Sequence, residues 1–328
     1  MTPSRPLLSL GLDLDNLWAY MKIHGDAGWD RFPSYLDILC PALLDVLRQH
    51  RLRMTVFIVG QDAALEKNGA SLASLSAAGH EIGNHSFRHE PWFHLYSKAE
   101  IETEIRTAEE AIEKATGRRP VGFRGPGFSL SPDTLRVLVN RGYRYDCSTL
   151  PTFLGPLARA YYFMNSRGLS PEEREKRSKL YGTLSDGFQP IRPYSWSVDG
   201  RPLVELPVTT MPGLRVPFHL SYVLYLRRFS RALAWTYFRT SLAICRMTGV
   251  SPSYLLHPLD LLGGDKVREL AFFPGMDLPT GLKIDFLHEV LDALGSSFRI
   301  VTLEEHARAV EAWPVTSVRR VREELALG

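Results

Sequence analysis

The sequence has few cysteines and no long uninterrupted apolar run. Its three cysteines, Cys40, Cys147 and Cys245, lie far apart, and no CxxC pair indicates a zinc knuckle or a redox pair. This usage is typical of a reducing, cytosolic compartment. No uncharged apolar stretch reaches the roughly 18–20 residues that span a bilayer. The N-terminal segment also lacks the pattern of a signal peptide, so we expect a cytoplasmic protein.

Charge of one sign is not in excess either. The net charge is +3 and the pI is about 8.7, which is too mild to indicate a nucleic-acid partner. The 328 residues are 45% hydrophobic and 23% charged, as in ordinary globular proteins. We expect one domain over residues 1–310, with insertions at about 150–200 and 212–250 and a C-terminal tail over 311–328.

Short apolar runs that predict strands alternate with segments that have apolar residues at helical spacing. The predicted strands are 7–15, 53–60, 81–86, 121–127, 143–149, 203–209, 253–260 and 298–303. The predicted helices are 33–50, 70–78, 98–116, 131–140 and 282–294. This alternation predicts an α/β fold with a parallel sheet, either open or closed into a barrel.

The segment GHEIGNHSFRH, residues 79–89, contains His85 and His89 four positions apart. If a helix begins after the strand, both imidazoles lie on one face about one turn apart and can reach one divalent ion. The alternative interpretation is one capping histidine and one surface histidine.

Polar residues also end three other predicted strands. Asp13 and Asp15 close the first strand, and two acids there are costly unless they are paired or bind a metal; the alternative is that Asp15 caps the following loop. Arg124 begins the Gly-Pro turn GFRGPG, where it can pair with a buried aspartate or face solvent. His257 ends the strand in LLHPLD, where a single histidine is often only a core or loop residue.

The order of these motifs resembles the polysaccharide deacetylase family, with the NodB homology domain of carbohydrate esterase family 4. Asp-x-Asp, HSxxH, an Arg-Pro-Gly turn and Leu-x-His-Pro follow one another between about residues 7 and 303. The resemblance implies a distorted (β/α) barrel with about seven parallel strands.

The resemblance also implies a role for each matching residue. Asp15, His85 and His89 would hold a divalent metal, with Zn favoured and Co, Ni or Fe open. The catalytic residues would be the general base Asp13, the general acid His257 and Arg124, which orients the base. The expected substrate pocket comprises Leu255 as an apolar wall, Pro126, and Asp146 as a carboxylate partner for His257.

The Asp-x-Asp spacing departs from the adjacent aspartates that are common in the family. It is similar to branches that remove acyl groups from lipid-linked aminosugars. We therefore expect metal-dependent hydrolysis of an N-acetyl or N-formyl group from an aminosugar, attached to a lipid or part of a membrane-associated precursor. The alternatives are an allantoinase-like amidohydrolase acting on a soluble amide, and a binding relative without catalysis.

Residues 206–259 contain no Asp, Glu or Lys but six arginines among aromatic and aliphatic residues. One interpretation is a helix or helical pair that buries its apolar face on the barrel. The other is an arginine-rich interfacial segment, 212–248, that binds an anionic membrane surface. A helical wheel sets Arg228, Arg239 and Arg246 opposite an apolar face of Tyr222, Leu226, Phe229, Leu233, Tyr237 and Ile244. The second interpretation fits a polyprenyl-phosphate-linked sugar at the cytoplasmic membrane face.

Overall fold

The alternation of apolar strands and amphipathic helices produces a mostly parallel sheet in the computed structural model, which describes residues 5–155, 184–313 and 317–321. The strands are β1 Leu7–Leu14, β2 Thr55–Ile58, β3 Glu81–Asn84, β4 Gly122–Phe123, β5 Tyr145–Asp146, β6 Tyr194–Val198, β7 Arg201–Glu205, β8 Ser253–Leu256, β9 Arg299–Val301 and β10 Val318–Arg320. The helices are α1 Leu17–His24, α2 Leu36–His50, α3 Gly60–Ala64, α4 Gly69–Ala77, α5 Lys98–Thr116, α6 Pro132–Asn140, α7 Leu220–Arg227, α8 Arg231–Thr248, α9 Thr280–Ser297 and α10 Leu303–Glu311.

The sheet curls into a distorted barrel. Its strand order is β10-β6-β7-β5-β4-β3-β2-β1-β8, with β9 paired to the first residues of β1. β1, β2, β3, β4, β5, β7 and β8 run parallel, whereas β6 runs antiparallel to β7. After β7, the backbone N–H of Thr209 donates to the carbonyl of Ser253 in β8 at 3.0 Å, which closes the ring. The predicted barrel with about seven parallel strands is confirmed.

β1 shows why the sequence forms this sheet. Its four leucines at even positions, Leu8 to Leu14, are buried in the main core with apolar side chains of the surrounding helices. The residues between them face the barrel interior, where little space is left: a Cβ on Gly11 would lie 3.0 Å from the side chain of Leu303. The two-residue period of the strand therefore separates the outer core from the inner face that ends in Asp13.

Helix α10 fills the bottom of the barrel. Leu303, Ala307 and Val310 share a buried cluster with interior residues such as Phe57 and Tyr145. Because this end is filled, a site in the barrel must lie at the opposite rim, where the carboxyl ends of the strands meet.

The structure describes the predicted insertions and the predicted tail only in part. Residues 156–183 of the first insertion lie outside the described residues, and its later part forms β6. The second insertion is a helical pair, α7 and α8, whose buried residues join the main core. Within the predicted tail, β10 pairs in parallel with β6.

The apolar face that the helical wheel assigns to the second insertion is wrong in part. Phe229 and Leu233 are 68% and 50% exposed, whereas Ala234, Phe238 and Leu242 are buried. The wheel assumes one continuous helix, but the chain leaves α7 and restarts at the N-cap Ser230, which shifts the buried face of α8.

His306 of α10 provides a stability prediction. Ser251 donates its hydroxyl proton to the carbonyl of Leu7 (2.6 Å), so His306 Nε2–H donates to Ser251 at 3.0 Å and Nδ1 accepts from Ser9 at 2.9 Å. This arrangement requires a neutral ring, and burial lowers the pKa of His306 from 6.5 to about 4. Below pH 6.5 His306 is protonated in the unfolded chain but stays neutral in the folded chain, so the free energy of unfolding decreases as the pH falls toward 4.

Between pH 7 and pH 5, the free energy of unfolding of the metal-free protein should fall by about 2 kcal/mol more in the wild type than in His306→Gln. Urea titrations in EDTA at both pH values measure this difference. Thr103→Ala, at an exposed residue of α5 whose hydroxyl donates to the carbonyl of Ala99 in the same helix, is the control and should keep the wild-type pH dependence. Equal pH dependence in wild type and His306→Gln would contradict the assignment.

Candidate metal and catalytic site

The polar residues singled out from the sequence meet at one rim of the barrel. Asp13 lies near the end of β1 and Asp15 just after it, while His85, Arg124 and His257 directly follow β3, β4 and β8. Since these strands run parallel in one sheet, their carboxyl ends bring the five side chains to the same end of the barrel.

Asp15, His85 and His89 form a group with the geometry of a metal site. The Asp15 Oδ1 atom lies 2.9 Å from His89 Nε2 and 3.3 Å from His85 Nε2. One ligand atom from each residue lies within 4.8 Å of the others, and both histidines are buried. Two imidazoles and a carboxylate are a donor set that suits zinc and other divalent transition metals.

The hydrogen bonding of this group fits a cation. His85 Nδ1 lies 2.6 Å from the carbonyl oxygen of Arg124, so Nδ1 carries the proton and the Nε2 lone pair faces Asp15. Asp15 Oδ1 is buried and has no hydrogen-bond partner among the described residues. The Asp15 oxygen and the Nε2 lone pair of His85 repel each other at this distance unless a positive charge lies between them.

The pKa values of the group follow from the same charges. Burial would raise the pKa of Asp15, but the nearby His89 and His85 hold it well below its usual value. Burial would lower the pKa of His85, but Asp13 and Asp15 raise it above its usual value. The carboxylates of the site therefore favour a positive charge at the histidine nitrogens.

The described residues contain no helix between His85 and His89, so the helical interpretation of the HSxxH spacing is wrong. Ser86 and His89 instead adopt left-handed backbone conformations, with φ of 61° and 54°. The Glu104 carboxylate of α5 accepts the N–H groups of Phe87 and Arg88 at 3.1 and 2.9 Å, which fixes the loop. Non-glycine residues in this conformation are strained, and such strain is typical of functional loops.

Several residues that position Asp15 carry no sequence signal. Tyr20 donates to Asp15 Oδ2 at 3.4 Å, and the Tyr35 hydroxyl donates to the Asp15 carbonyl. The next residue, Asn16, caps α1 and donates to the buried Asp62 at 2.7 Å. Burial raises the pKa of Asp62 to about 7 against these hydrogen bonds. These partners come from separate segments, so their role is visible only in the folded chain.

Asp13 and Arg124 form a buried ion pair. Arg124 Nη1 donates to Asp13 Oδ1 at 2.6 Å, and Arg124 Nε donates to the carbonyl of Cys147 at 3.1 Å. The guanidinium also stacks over the ring of Phe57, 4.5 Å from its centroid. Burial alone would lower the pKa of Arg124, but the Asp13 carboxylate raises it, so the arginine stays charged.

His257 has different partners from the predicted one. Its Nδ1 lies 3.1 Å from the Ser221 hydroxyl of α7, and its backbone N–H donates to Asp260 at 2.8 Å. The ring of His219, a residue without a sequence signal, lies 5.8 Å from the ring of His257 between centroids.

The proposed pairing of Asp146 with His257 is wrong. Asp146 accepts from the hydroxyl and backbone N–H of Ser148, at 2.6 and 3.1 Å. On β5 it alternates with the interior residue Tyr145, so it faces the other side of the sheet beside its register partner Glu205. Burial and Glu205 raise the pKa of Asp146 well above its usual value.

Leu255 and Pro126, the two predicted apolar residues of the substrate pocket, are both buried. Leu255 is fully buried in β8, two residues before His257 and opposite Gly11 of β1. Pro126 is buried at the start of the short turn Pro126–Phe128, two residues after Arg124. Their contact with an acyl group stays a prediction.

Residues 26–145 match a family model described as polysaccharide deacetylase. A peptidoglycan deacetylase of Helicobacter pylori is 27% identical over 150 residues, 44% of this chain and 50% of that protein. A chitooligosaccharide deacetylase of Bradyrhizobium is 33% identical over 133 residues, 38% of this chain and 59% of that protein. The chain thus spans about half the length of these curated relatives.

Solved structures share the whole barrel. A candidate polysaccharide deacetylase from Mycobacterium smegmatis has a TM-score of 0.60 at 18% identity, covering 98% of this chain and 96% of that one. Puue allantoinase has a TM-score of 0.56 at 16% identity, covering 95% and 93%. At this identity the likeness shows the fold alone.

The ligand set predicts one bound Zn²⁺ per chain. His89→Gln should weaken zinc binding by about 100-fold or more, because loss of a ligand costs more than the 10–100-fold typical of a residue behind one. Competition with a chelating dye measures the affinity. The control is His94→Gln, five residues further on, where the ring contacts Ser129 rather than Asp15. Equal zinc affinity in wild type and His89→Gln would contradict the site.

Proposed function

We propose that this chain, whose residues 26–145 match the polysaccharide deacetylase family model, hydrolyses the N-acyl group of an aminosugar with a divalent metal ion. The observation that carries this proposal is the meeting of Asp15, His85 and His89 with the Asp13–Arg124 pair at one rim of the barrel.

Zinc is the proposed metal, held by Asp15 Oδ1 and the Nε2 atoms of His85 and His89. When bound, it would polarise the amide carbonyl and acidify the attacking water. His85 keeps its metal-facing lone pair because the Arg124 carbonyl holds its other nitrogen.

Asp13 is the proposed general base. Its Oδ1 is held by Arg124, while Oδ2 has no hydrogen bond to a described residue and is the oxygen left to receive the proton of water. The arginine fixes the orientation of the carboxylate and cannot itself take the proton, since it stays charged.

His257 is the proposed general acid, on the strand on the other side of β1 from β2. With Nδ1 at the Ser221 hydroxyl, Nε2 is the atom left to deliver a proton to the departing amine. The hydrogen bond from its backbone to the buried Asp260 fixes the turn that carries it.

The proposed substrate is an N-acetylated or N-formylated aminosugar. The relatives are named for peptidoglycan and chitooligosaccharides, which contain such sugars. An aromatic rim also flanks the metal side, where the exposed Phe273 lies 5.3 Å edge-on to Tyr20, which contacts Asp15. Aromatic rings give a sugar or a lipid an apolar surface with specific geometry.

An acid-release assay tests the activity. Zinc-loaded wild type should release acetate or formate from a panel of N-acyl aminosugars, free and polyprenyl-phosphate-linked. Asp13→Asn should keep its zinc but lose about 100- to 10,000-fold in kcat, because the base is removed and the metal ligands are not. Full activity in Asp13→Asn would refute the mechanism.

The same panel, extended by allantoin, separates the alternatives. Ring opening of allantoin to its ureido-acid product, with no acetate or formate released from any aminosugar, would favour the soluble amidohydrolase. Zinc binding without turnover of any compound would favour a binding relative.

We further propose that the enzyme acts at the cytoplasmic face of a membrane, on a polyprenyl-phosphate-linked sugar. Tyr225, Phe229 and Leu233 are exposed apolar side chains near the junction of α7 and α8, and the rings of Tyr225 and Phe229 lie 5.5 Å apart between centroids. α7 packs on the turn that follows His257, and Tyr225 lies about one helical turn beyond Ser221, which contacts His257. Among the residues that the structure describes, no helix is long and apolar enough to cross a bilayer.

The apolar side chains carry this membrane proposal more than the arginines do. Arg228 binds Asp277 at 2.8 Å and Arg231 binds Glu289 at 2.7 Å, so acids within the protein offset part of their charge. Burial of two large apolar side chains in the lipid interface provides the attraction instead.

Vesicle co-sedimentation tests this surface by substitution, because deletion of 212–248 would remove core residues such as Phe238. With phosphatidylglycerol vesicles, Phe229→Ser combined with Leu233→Ser should lower the partition coefficient at least about tenfold. Met247→Ser is the control, since Met247 is 78% exposed at the other end of α8. Equal partitioning of the wild type and the double variant would reject the membrane surface.

A further inference from the structure

The second insertion brings a histidine into the site that none of the family-like motifs contains. His219 lies at the start of α7, with its backbone in an extended conformation at the N-cap position. N-cap residues usually accept a helix N–H with their side chain, but the His219 side chain makes no such bond. Its imidazole is therefore available for another contact.

The backbone around His219 is firmly held. Its carbonyl accepts the N–H groups of Tyr222 and Val223, at 3.0 and 3.3 Å. The preceding residue, Phe218, is fully buried, and the Tyr237 hydroxyl of α8 donates to the Pro217 carbonyl at 2.7 Å. A ring on such a support stays in place without help from its own nitrogens.

The ring of His219 lies beside the proposed general acid. It is 5.8 Å from the His257 ring and 4.8 Å from the Tyr222 ring between centroids. Ser221, two residues along, holds His257 Nδ1, so the first turn of α7 encloses His257. Arg124 is close enough for its charge to act on His219 as well.

His219 is buried, with only 4% of the residue exposed, and its Nδ1 has no hydrogen-bond partner among the described residues. Burial, together with the charges of His257 and Arg124, keeps the pKa of His219 well below its usual value. A neutral imidazole offers one donor and one acceptor. A buried nitrogen without a partner is rare unless a ligand or water completes it.

We infer that His219 is a substrate-binding residue that hydrogen bonds an uncharged polar group of the aminosugar, a hydroxyl or the amide, next to His257. This inference rests on the proposed function. A neutral ring suits an uncharged partner, and its place beside the general acid puts the contact on the side of the departing amine. The insertion would then contribute to substrate choice directly, through a side chain.

Kinetics of two substitutions test the contact on the best substrate of the acid-release panel. His219→Phe keeps the aromatic volume but no hydrogen-bonding atom, and should lower kcat/KM about tenfold, mainly through KM. His219→Gln keeps a donor and an acceptor and should recover most of this loss. His288→Gln, remote on α9, should match the wild type. Zinc content and thermal midpoint of each variant show that it is folded and loaded.

Wild-type kcat and KM in both His219 variants would overturn the inference while leaving the hydrolase intact. Equal losses in both, with a lowered thermal midpoint, would also overturn it, because they would indicate a packing role.

A binding readout separates this inference from the hydrolase itself. Zinc-loaded protein with ¹⁵N-labelled histidine is titrated with N-acetylglucosamine and its β-1,4 dimer, and the ring signals of His219 are assigned by their loss in His219→Gln. A saturable shift of these signals supports the contact even if no acid is released, in which case only the hydrolase proposal fails. No shift at saturating sugar, in a protein whose other site signals move, rejects the contact. If no signal moves with either sugar, His219 is not a binding residue for aminosugars.

Discussion

The site depends on one buried arginine. The Arg124 side chain pairs with Asp13 of β1 and bonds the carbonyl of Cys147 after β5, while its own carbonyl holds His85 after β3. The carboxyl ends of β1, β3, β4 and β5 are thus linked through one residue. A buried charge without its partner would cost about 3–5 kcal/mol, so Asp13 and His85, the proposed general base and metal ligand, share one strong constraint. The ring of Phe57 below the guanidinium completes its enclosure.

The part of the site that strand ends provide was predictable from the sequence. Asp13, Asp15, Arg124 and His257 follow apolar runs whose periodicity predicts strands, and parallel strands end at the same rim. The path of the chain between His85 and His89 was not predictable from spacing, because two left-handed residues replace the helical turn. The prediction that Asp146 pairs with His257 was also wrong. Side chains alternate along β5, so Asp146 faces away from the interior, and the residues around it in sequence do not indicate this.

Contacts between segments that are distant in sequence could not be predicted. Tyr20, Tyr35 and Asp62 hold Asp15 and its neighbour Asn16, and these three residues come from α1, the start of α2 and α3. The helical pair of the second insertion was predicted as an apolar, basic segment, but its break at Ser230 decides which side chains are exposed. That pair brings Ser221 to His257 and leaves Phe229 outside.

The position of helix α10 at the bottom of the barrel has a consequence for the order of folding. Ser9 of β1 bonds to His306 across 297 positions of sequence, and β9 pairs with the first residues of β1. Contacts of such long range form slowly because the chain must close a very large loop first. During synthesis on the ribosome, β1 must therefore wait for almost three hundred further residues before its inner face is covered. Asp13 and Asp15 thus leave the ribosome long before α10, yet they reach a finished barrel only after α10 has emerged.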